Sequence, residues 1–313
     1  MFGQPKGRKL PHQNKAKNIA IYCVVVAALM VVALISGRLR QQERAAVRQS
    51  DAPFQIHVID VGQGDSILVL ADGHSMLIDY GNSNAGNTVL SYLEILGINH
   101  LDYAVTTHYH FDHVGGFAAV AKSCTFDKVI EPPCPENLIP TDQPYKMYLN
   151  ATTGDKAPEK QTMQAGDTFT LGKAQIEVLA PADAQASDLN NTSLVLRLQY
   201  EDTVCLFTGD MTEEEEEKLL ATDADLDADF LKVAHHGSKY GTSEAFLQRV
   251  TPEFAAVSCA KENDYGHPAP ETISRLEASG KTQVGITAQQ GHLVYLYENG
   301  KLVYYPQKSE VQK

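Results

Sequence analysis

His108-Tyr109-His110-Phe111-Asp112-His113 puts three imidazoles and one carboxylate within six residues. The run follows Leu101–Thr106, which has the apolar pattern of a buried strand, and precedes Gly115-Gly116 and a helical pattern at Phe117–Ala121. A strand end that opens into a loop can splay side chains towards one point. His and Asp are ligand types for zinc and similar divalent ions, and four of them exceed one tetrahedral site with an open position. Two ions a few ångströms apart are the economical arrangement, with His108 and His110 on one and Asp112 and His113 on the other. One such histidine would by default belong to a polar surface loop, but the whole H-x-H-x-D-H run would not. Gly115 and Gly116 are expected to let the backbone turn tightly beneath it.

Two further segments fit this cluster. Phe207-Thr208-Gly209-Asp210 places a carboxylate just past an apolar strand, where it can bridge two ions. Leu231-Lys232-Val233-Ala234-His235-His236-Gly237-Ser238 places a histidine pair at the end of another buried strand. Neighbours at a strand end point to opposite sides. One of the two is therefore expected to ligate, and His235 is taken as the ligand, with His236 behind the ligands, facing the substrate or at the surface. Asp60, Asp65 and Asp79 lie at strand ends, where they either orient ligand imidazoles or complete tight glycine-containing turns. His57, His74, His100 and His292 are isolated and read as structural or surface residues.

Around these segments the chain reads as alternating short strands and helices. Strands are expected at Phe54–Asp60, Ser66–Ala71 and Ser75–Asp79, the last two joined by an Asp72-Gly73 turn. Further strands fall at Thr168–Leu171, Gln175–Leu179, Ser193–Gln199, Thr203–Thr208, Phe230–Ala234, Phe254–Ser258, Gln283–Thr287, His292–Tyr297 and Leu302–Tyr305. Helical patterns occupy Asn87–Leu96, Thr212–Ala221, Ser243–Val250 and Pro270–Ser279. The acidic run Glu213–Glu217 suits the solvated start of a helix. Residues 131–165, broken by Pro132, Pro133, Pro135, Pro140, Pro144 and Pro158, read as irregular, either a lid-like insertion or a surface excursion. Strand-rich halves each followed by helices imply one layered α/β sandwich.

The N-terminal fifty residues differ from the rest. They hold nine Lys and Arg residues and one acid, Glu43; taken from totals of 26 basic and 39 acidic residues, this leaves 17 and 38, a balance of −21 for the remainder. An acidic surface of that kind repels a phosphate backbone, so nonspecific DNA binding is disfavoured. Ile19 to Ile35 is apolar without a charge or proline, long enough for a short membrane span. No A-x-A site follows it, so an uncleaved anchor is expected rather than a signal peptide. Five basic residues precede the run and four follow, which places the N-terminus in the cytoplasm and the domain outside the cell membrane. The expected organisation is a basic segment at 1–18, an anchor at 19–36, a tether at 37–52, one domain at 53–306 and a tail at 307–313. Cys124, Cys134, Cys205 and Cys259 show neither metal-type nor paired spacing.

Taken together, the H-x-H-x-D-H run, the T-G-D strand end and the H-H-G-S segment resemble the metallo-β-lactamase superfamily. His57–Val69, Leu77–Gly81, Asn190–Leu196 and Gly266-His267-Pro268 are similar to one branch of it, the hydrolase domain of the competence protein ComEC. The resemblance covers residues 54 to about 305 and implies a four-layer αββα sandwich, here preceded by the transmembrane helix. It also implies a hydrolase with two divalent ions, zinc or manganese, held by His108, His110, Asp112, His113, Asp210 and His235. Such ions lower the pKa of a water towards about 7 and so supply a nucleophile at neutral pH. Asp112 would orient that water, and His236 or His267 would assist the leaving oxygen. One departure stands out. Many members supply a further histidine to the first ion, yet no histidine occurs between Val114 and Ala234. Asn190 or Asn191 stands there instead, which leaves that ion loosely held, completed by His267, or replaced by a harder ion such as manganese.

The expected substrate is a phosphodiester, either nucleic acid or a cell-envelope polymer or head group. A β-lactam or thioester hydrolase is less favoured. The alternative from another class is a noncatalytic module that keeps the metals for structure or sensing.

Overall fold

Period-two alternation from Phe54 onward builds the first sheet. β1 (Phe54–Val58), β2 (Ile67–Ala71) and β3 (His74–Ile78) pair antiparallel, with Phe54 opposite Ala71 and Ile67 opposite Ile78. Asp72 and Gly73 join β2 to β3 with φ of 51° and 88°. Left-handed backbone at both positions matches the strand twist, which is why an Asp-Gly pair suits this turn. β4 (His100–Val105), β5 (Thr125–Glu131) and β6 (Glu159–Thr162) add in parallel. β14 (Leu293–Glu298) and β15 (Lys301–Pro306) close the other edge, giving eight strands in the order β15-β14-β1-β2-β3-β4-β5-β6.

The second sheet has seven strands. β7 (Thr168–Leu171), β8 (Ala174–Ala180), β9 (Val195–Tyr200) and β10 (Thr203–Phe207) run antiparallel. β11 (Phe230–Lys232), β12 (Phe254–Val257) and β13 (Gln283–Ile286) continue parallel to β10. One apolar cluster draws on both sheets, including Phe54, Ile56, Val58, Leu196, Phe207 and Phe230, and fills the space between them. Each of these side chains is almost wholly buried, which stabilises the fold by about 1.5–3 kcal/mol apiece. A second cluster packs α1 (Gly86–Ile95), α3 (Phe117–Val120) and α4 (Gln143–Ala151) on the outer face of the first sheet. Two more place α5 (Glu213–Leu220), α6 (Glu244–Val250) and α7 (Pro270–Glu277) outside the second. The result is a helix–sheet–sheet–helix sandwich.

The computed structural model describes residues 21–35, 48–154, 157–182 and 184–307. The chain divides after Ala46 into two units. In the first, residues 21–35 are helical and expose Ile21, Leu29 and Leu34. Among the described residues no helix is long and apolar enough to cross a membrane. The described part of the expected anchor, helical over 21–35, does not by itself make a spanning helix, and Ile19, Ala20 and Ser36 of the expected segment lie outside the described residues. All of the basic start and most of the tether also lie outside them.

The proline-rich stretch departs from expectation. It holds α4 and β6, and it follows β5, which the alternation at Thr125–Glu131 did not announce. Pro144 sits in the first turn of α4, where no backbone N–H is needed, and the Asp142 carboxylate caps the helix by accepting from Tyr145 N at 2.9 Å. Tyr145 and Tyr148 pack against Tyr109 with ring centroids 5.1 and 6.0 Å apart. The segment is therefore part of the outer helical layer beneath the histidine-rich loop, not a lid.

Candidate metal centre

The candidate residues gather at one edge of the sandwich, past the C-terminal ends of β3, β4, β10, β11 and β12. Asp79 follows β3, the 108–113 run follows β4, Asp210 follows β10, the 235–236 pair follows β11 and His267 follows β12. Strand ends of parallel sheet are where open α/β folds place their ligands. Between β4 and α3, His110 is extended and α2 (Phe111–Val114) makes a single helical turn. That change of backbone aims His108 and His113 inward with ring centroids 4.1 Å apart. The chain is pressed close here: a side chain on Gly116 would run into the Tyr80 carbonyl. Crowding rather than φ is what requires glycine, since Gly116 has ordinary helical dihedrals.

Asp210 is the hub. Its Oδ2 lies 3.3 Å from His113 Nε2, 3.3 Å from His236 Nε2, 3.8 Å from His108 Nε2 and 3.8 Å from His235 Nε2. Asp112 Oδ2 is 3.3 Å from His236 Nε2, and His110 Nδ1 is 3.0 Å from His108 Nε2. Donor atoms of His108, His113 and Asp210 lie within 4.8 Å of one another, as do those of Asp112, His113 and His236.

Other side chains aim these imidazoles. Asp79 accepts from His113 Nδ1 at 2.7 Å and from Thr107 N and Oγ1 at 2.8 and 2.7 Å. Nδ1 of His113 therefore carries a proton, and Nε2 faces Asp210. His236 Nδ1 donates to the Ser258 carbonyl at 3.0 Å, which leaves its Nε2 towards Asp112 and Asp210. Ser193 Oγ accepts from Asp210 N at 3.1 Å and lies 3.4 Å from His108 Nδ1. Asp65, fully buried, pairs with the buried Lys232 at 2.6 Å, and its other oxygen is 3.3 Å from His236 Nδ1. Asp60 instead caps its own turn, with Oδ1 accepting from Gly62 N.

The electrostatics are those of buried carboxylates and imidazoles crowded on one point. Burial opposes charge on His113, but Asp210 and Asp79 outweigh it and hold its pKa well above the ordinary imidazole range. His236 is likewise held well up by Asp210 and Asp65 against burial. Burial would raise Asp210, yet His236, His113 and His235 hold it well below the carboxylate range. Burial pushes His108 far down, and the His113 charge adds to this. Burial also opposes charge on Asp65, but Lys232 and His236 bring it down to about 2. Protons here compensate buried carboxylates, as metal ions would.

The residues fit such ions. His113 Nε2, His236 Nε2 and Asp210 Oδ1 are buried without a hydrogen-bond partner, an arrangement native proteins avoid unless something else satisfies the atoms. Imidazole with carboxylate suits zinc, manganese or iron. A cavity of about 160 Å³ opens directly on these groups, lined also by Gln63, His110, Phe111, Tyr265 and His267. A larger cavity of about 930 Å³ lies elsewhere, beside residues 49–53 and the β2–β3 turn. Its His74 and Asp102 are already paired at 2.6 Å, so we locate the chemistry in the smaller one.

Within this geometry the histidine pair departs from expectation. β11 ends at Lys232, so alternation along a strand no longer applies at 235 and 236. Both residues have left-handed backbone, with φ of 48° and 55°, and both rings turn into the site. His236 is the one that meets Asp112, His113 and Asp210, whereas His235 stands at the rim, 24% exposed. His267 stands on the side of the histidine pair. Its ring lies 5.4 Å from that of His235 and 6.1 Å from that of His236. Asn191 is turned away, bonded to Thr212 Oγ1 at 2.7 Å and to Glu214 Oε2 at 3.2 Å. Sequence reading passed over Ser193 and Lys232, since neither a serine after Asn-Asn-Thr nor a lysine in an apolar strand signals a site by itself.

The metallo-β-lactamase superfamily profile matches residues 59–261, about two thirds of the chain. The chain belongs to the metallo-β-lactamase superfamily. Among curated relatives, it is 30% identical to ComE operon protein 3 of Bacillus subtilis over 272 residues, 80% of this chain and 34% of that protein. It is 31% identical to competence protein ComA of Neisseria gonorrhoeae over 256 residues, 81% of this chain and 33% of that protein. The chain thus spans about a third of the length of these relatives, and it is of the ComEC-like kind. Among solved structures, the metallo-β-lactamase fold protein YhfI of Bacillus subtilis matches with a TM-score of 0.51 at 13% identity, covering 74% of this chain and 96% of that one. CmlA, a diiron β-hydroxylase from Streptomyces venezuelae, matches with 0.53 at 10% identity, over 80% and 55%. These two share the fold alone. That one of them is a hydroxylase shows why the superfamily fold does not by itself name a reaction.

Proposed function

We propose that this metallo-β-lactamase-fold domain is a two-metal phosphodiester hydrolase. The observation that carries it is the convergence of buried, unpartnered donors on Asp210 at the floor of an open cavity. His108, His110 and Asp210 would hold one ion; Asp112, His113, His236 and the shared Asp210 would hold the other. When bound, such ions supply a water acidic enough to attack at neutral pH and offset charge building on the substrate oxygen. Asp112 reaches the same cavity, where it would orient that water. Gln63 Nε2, a donor, lies 3.4 Å from His267 Nδ1, so the ring proton of His267 is on Nε2. Burial, with the charges of His236 and His235 adding to it, pushes His267 down to about 4. It therefore acts as a neutral hydrogen-bond donor to the leaving oxygen, with His235 beside it.

Relatives named for competence support nucleic acid among the phosphodiesters. Exposed Phe111 and Tyr265 at the cavity mouth offer faces on which bases stack. The balance of −21 beyond residue 50 works against a long duplex, which keeps a cell-envelope phosphodiester in play. We further propose that the apolar run 19–35 attaches the chain to the cell membrane, with the domain outside.

The test is hydrolysis of bis-p-nitrophenyl phosphate by the metal-stripped chain reloaded with zinc or manganese. Turnover is expected with at least one of them. Stoichiometric binding with no turnover under either ion would instead leave a noncatalytic metal-binding module. Comparing single-stranded DNA, duplex DNA and a glycerophosphodiester then separates the substrate classes. Fractionation tests the anchor: the full chain is expected with membranes and a chain starting at Arg48 in the soluble fraction, and both in the soluble fraction would contradict it.

A further inference from the structure

Lys232 ends β11 inside the sandwich with its side chain wholly buried. Its neighbours across the sheet, Phe207 and Ala256, are both apolar core residues. A buried ammonium is costly unless a charge meets it, and here Nζ lies 2.6 Å from Asp65 Oδ2 and donates to the Val233 carbonyl at 2.9 Å. Asp65 is itself fixed by its backbone, which donates to the Asp112 carbonyl at 3.3 Å and accepts from Gly81 N at 2.7 Å.

The other oxygen of Asp65 has no hydrogen bond and faces the cluster. It lies 3.3 Å from His236 Nδ1. Asp65 donor atoms also fall within 4.8 Å of those of Asp210 and His236, and of those of Asp79 and His113. A carboxylate so placed has two options. It can swing towards an ion as an extra ligand, or it can stay behind His236 and hold that ring. Lys232, gripping one oxygen from the side away from the cavity, selects the second.

We infer that Lys232 is a positioning residue for the half-site of Asp112, His113 and His236: it holds Asp65 behind His236, so that His236 presents Nε2 to the ion. The inference rests on the two-ion reading above. Asp79 orients His113 by a direct hydrogen bond, whereas Asp65 faces the Nδ1 edge of His236 at 3.3 Å, beside its bond to Ser258, and acts on it by charge while Lys232 keeps it there. Groups that orient a ligand in this way change metal affinity by roughly 10–100-fold when removed.

The experiment is titration of the metal-stripped full chain with zinc alone, read by calorimetry, and with cobalt, read by visible absorption. Wild type, Lys232→Met, Asp65→Asn and the double variant are compared. In Lys232→Met the second ion is expected to bind roughly 10–100-fold more weakly with an altered cobalt band, while the first stays within about threefold. Asp65→Asn should show the same loss, and the double variant no more than either single one, because the two act in series. Unchanged affinity for both ions in folded Lys232→Met would overturn the inference. So would equal weakening of both ions, which a purely structural lysine would cause. Should Lys232→Met fail to fold, the double variant removes both charges together, and wild-type affinity for the second ion in it would overturn the inference. A wild-type chain that binds fewer than two ions would overturn the two-ion reading, and the inference with it.

Discussion

The loop after β4 and the turn after β11 deliver histidines to the same carboxylate by opposite means. The first uses ordinary backbone: extended at His110, then one helical turn that buries Asp112 and His113. The second uses two consecutive left-handed residues, His235 and His236, a conformation that costs non-glycine residues about 1–2 kcal/mol each. The first is supported by Asp79 from the neighbouring strand; the second by Ser258 and by the Lys232–Asp65 pair. One region therefore places ligands by spacing. The other places them by a strained turn that its surroundings must hold.

Asp210 joins the two regions, so its removal should have the largest effect. Asp210→Ala is expected to abolish binding of at least one ion and lower kcat/KM by on the order of 10³-fold, read by metal analysis and hydrolysis rates; full activity would break the shared-carboxylate account. The next contrast lies within the turn. His236→Ala should lose one bound ion, whereas His235→Ala should keep both and lower kcat by on the order of 10²-fold, the low end of the scale for a lost proton donor. The reverse pattern of stoichiometries would make His235 the ligand. Asp79→Asn sharpens the comparison from the other side: metal affinity should fall roughly 10–100-fold in a chain that still folds, measured by competition with a chelator. The smallest effect belongs outside the site. Asp142→Ala removes the cap of α4 and should lower stability by about 1 kcal/mol in denaturant unfolding, with turnover unchanged.

These contrasts also explain how much of the molecule is legible in its sequence. The 108–113 run was legible because its ligands are contiguous, and Asp210 because Gly-Asp closes an apolar strand. Both sheets followed from period-two alternation at segments such as Phe54–Val58 in the first and Gln175–Leu179 in the second. The choice between His235 and His236 was not legible: alternation holds only while a strand lasts, and β11 stops at Lys232 before either histidine. Lys232 and Asp65 meet only through the packing of one sheet on the other, so no local pattern links them. α4 was hidden because Pro144 reads as a breaker unless it is known to fall in a first turn. β6, four polar residues at a sheet edge, has no apolar face to reveal it.

The central claim is that two ions share Asp210. Crystals grown with manganese, recorded at a wavelength where manganese scatters anomalously, test it directly. Two peaks are expected about 3.5–4 Å apart, one beside His108 and His110, the other beside Asp112, His113 and His236, with Asp210 between them. A single peak, or none within reach of Asp210, would contradict the account.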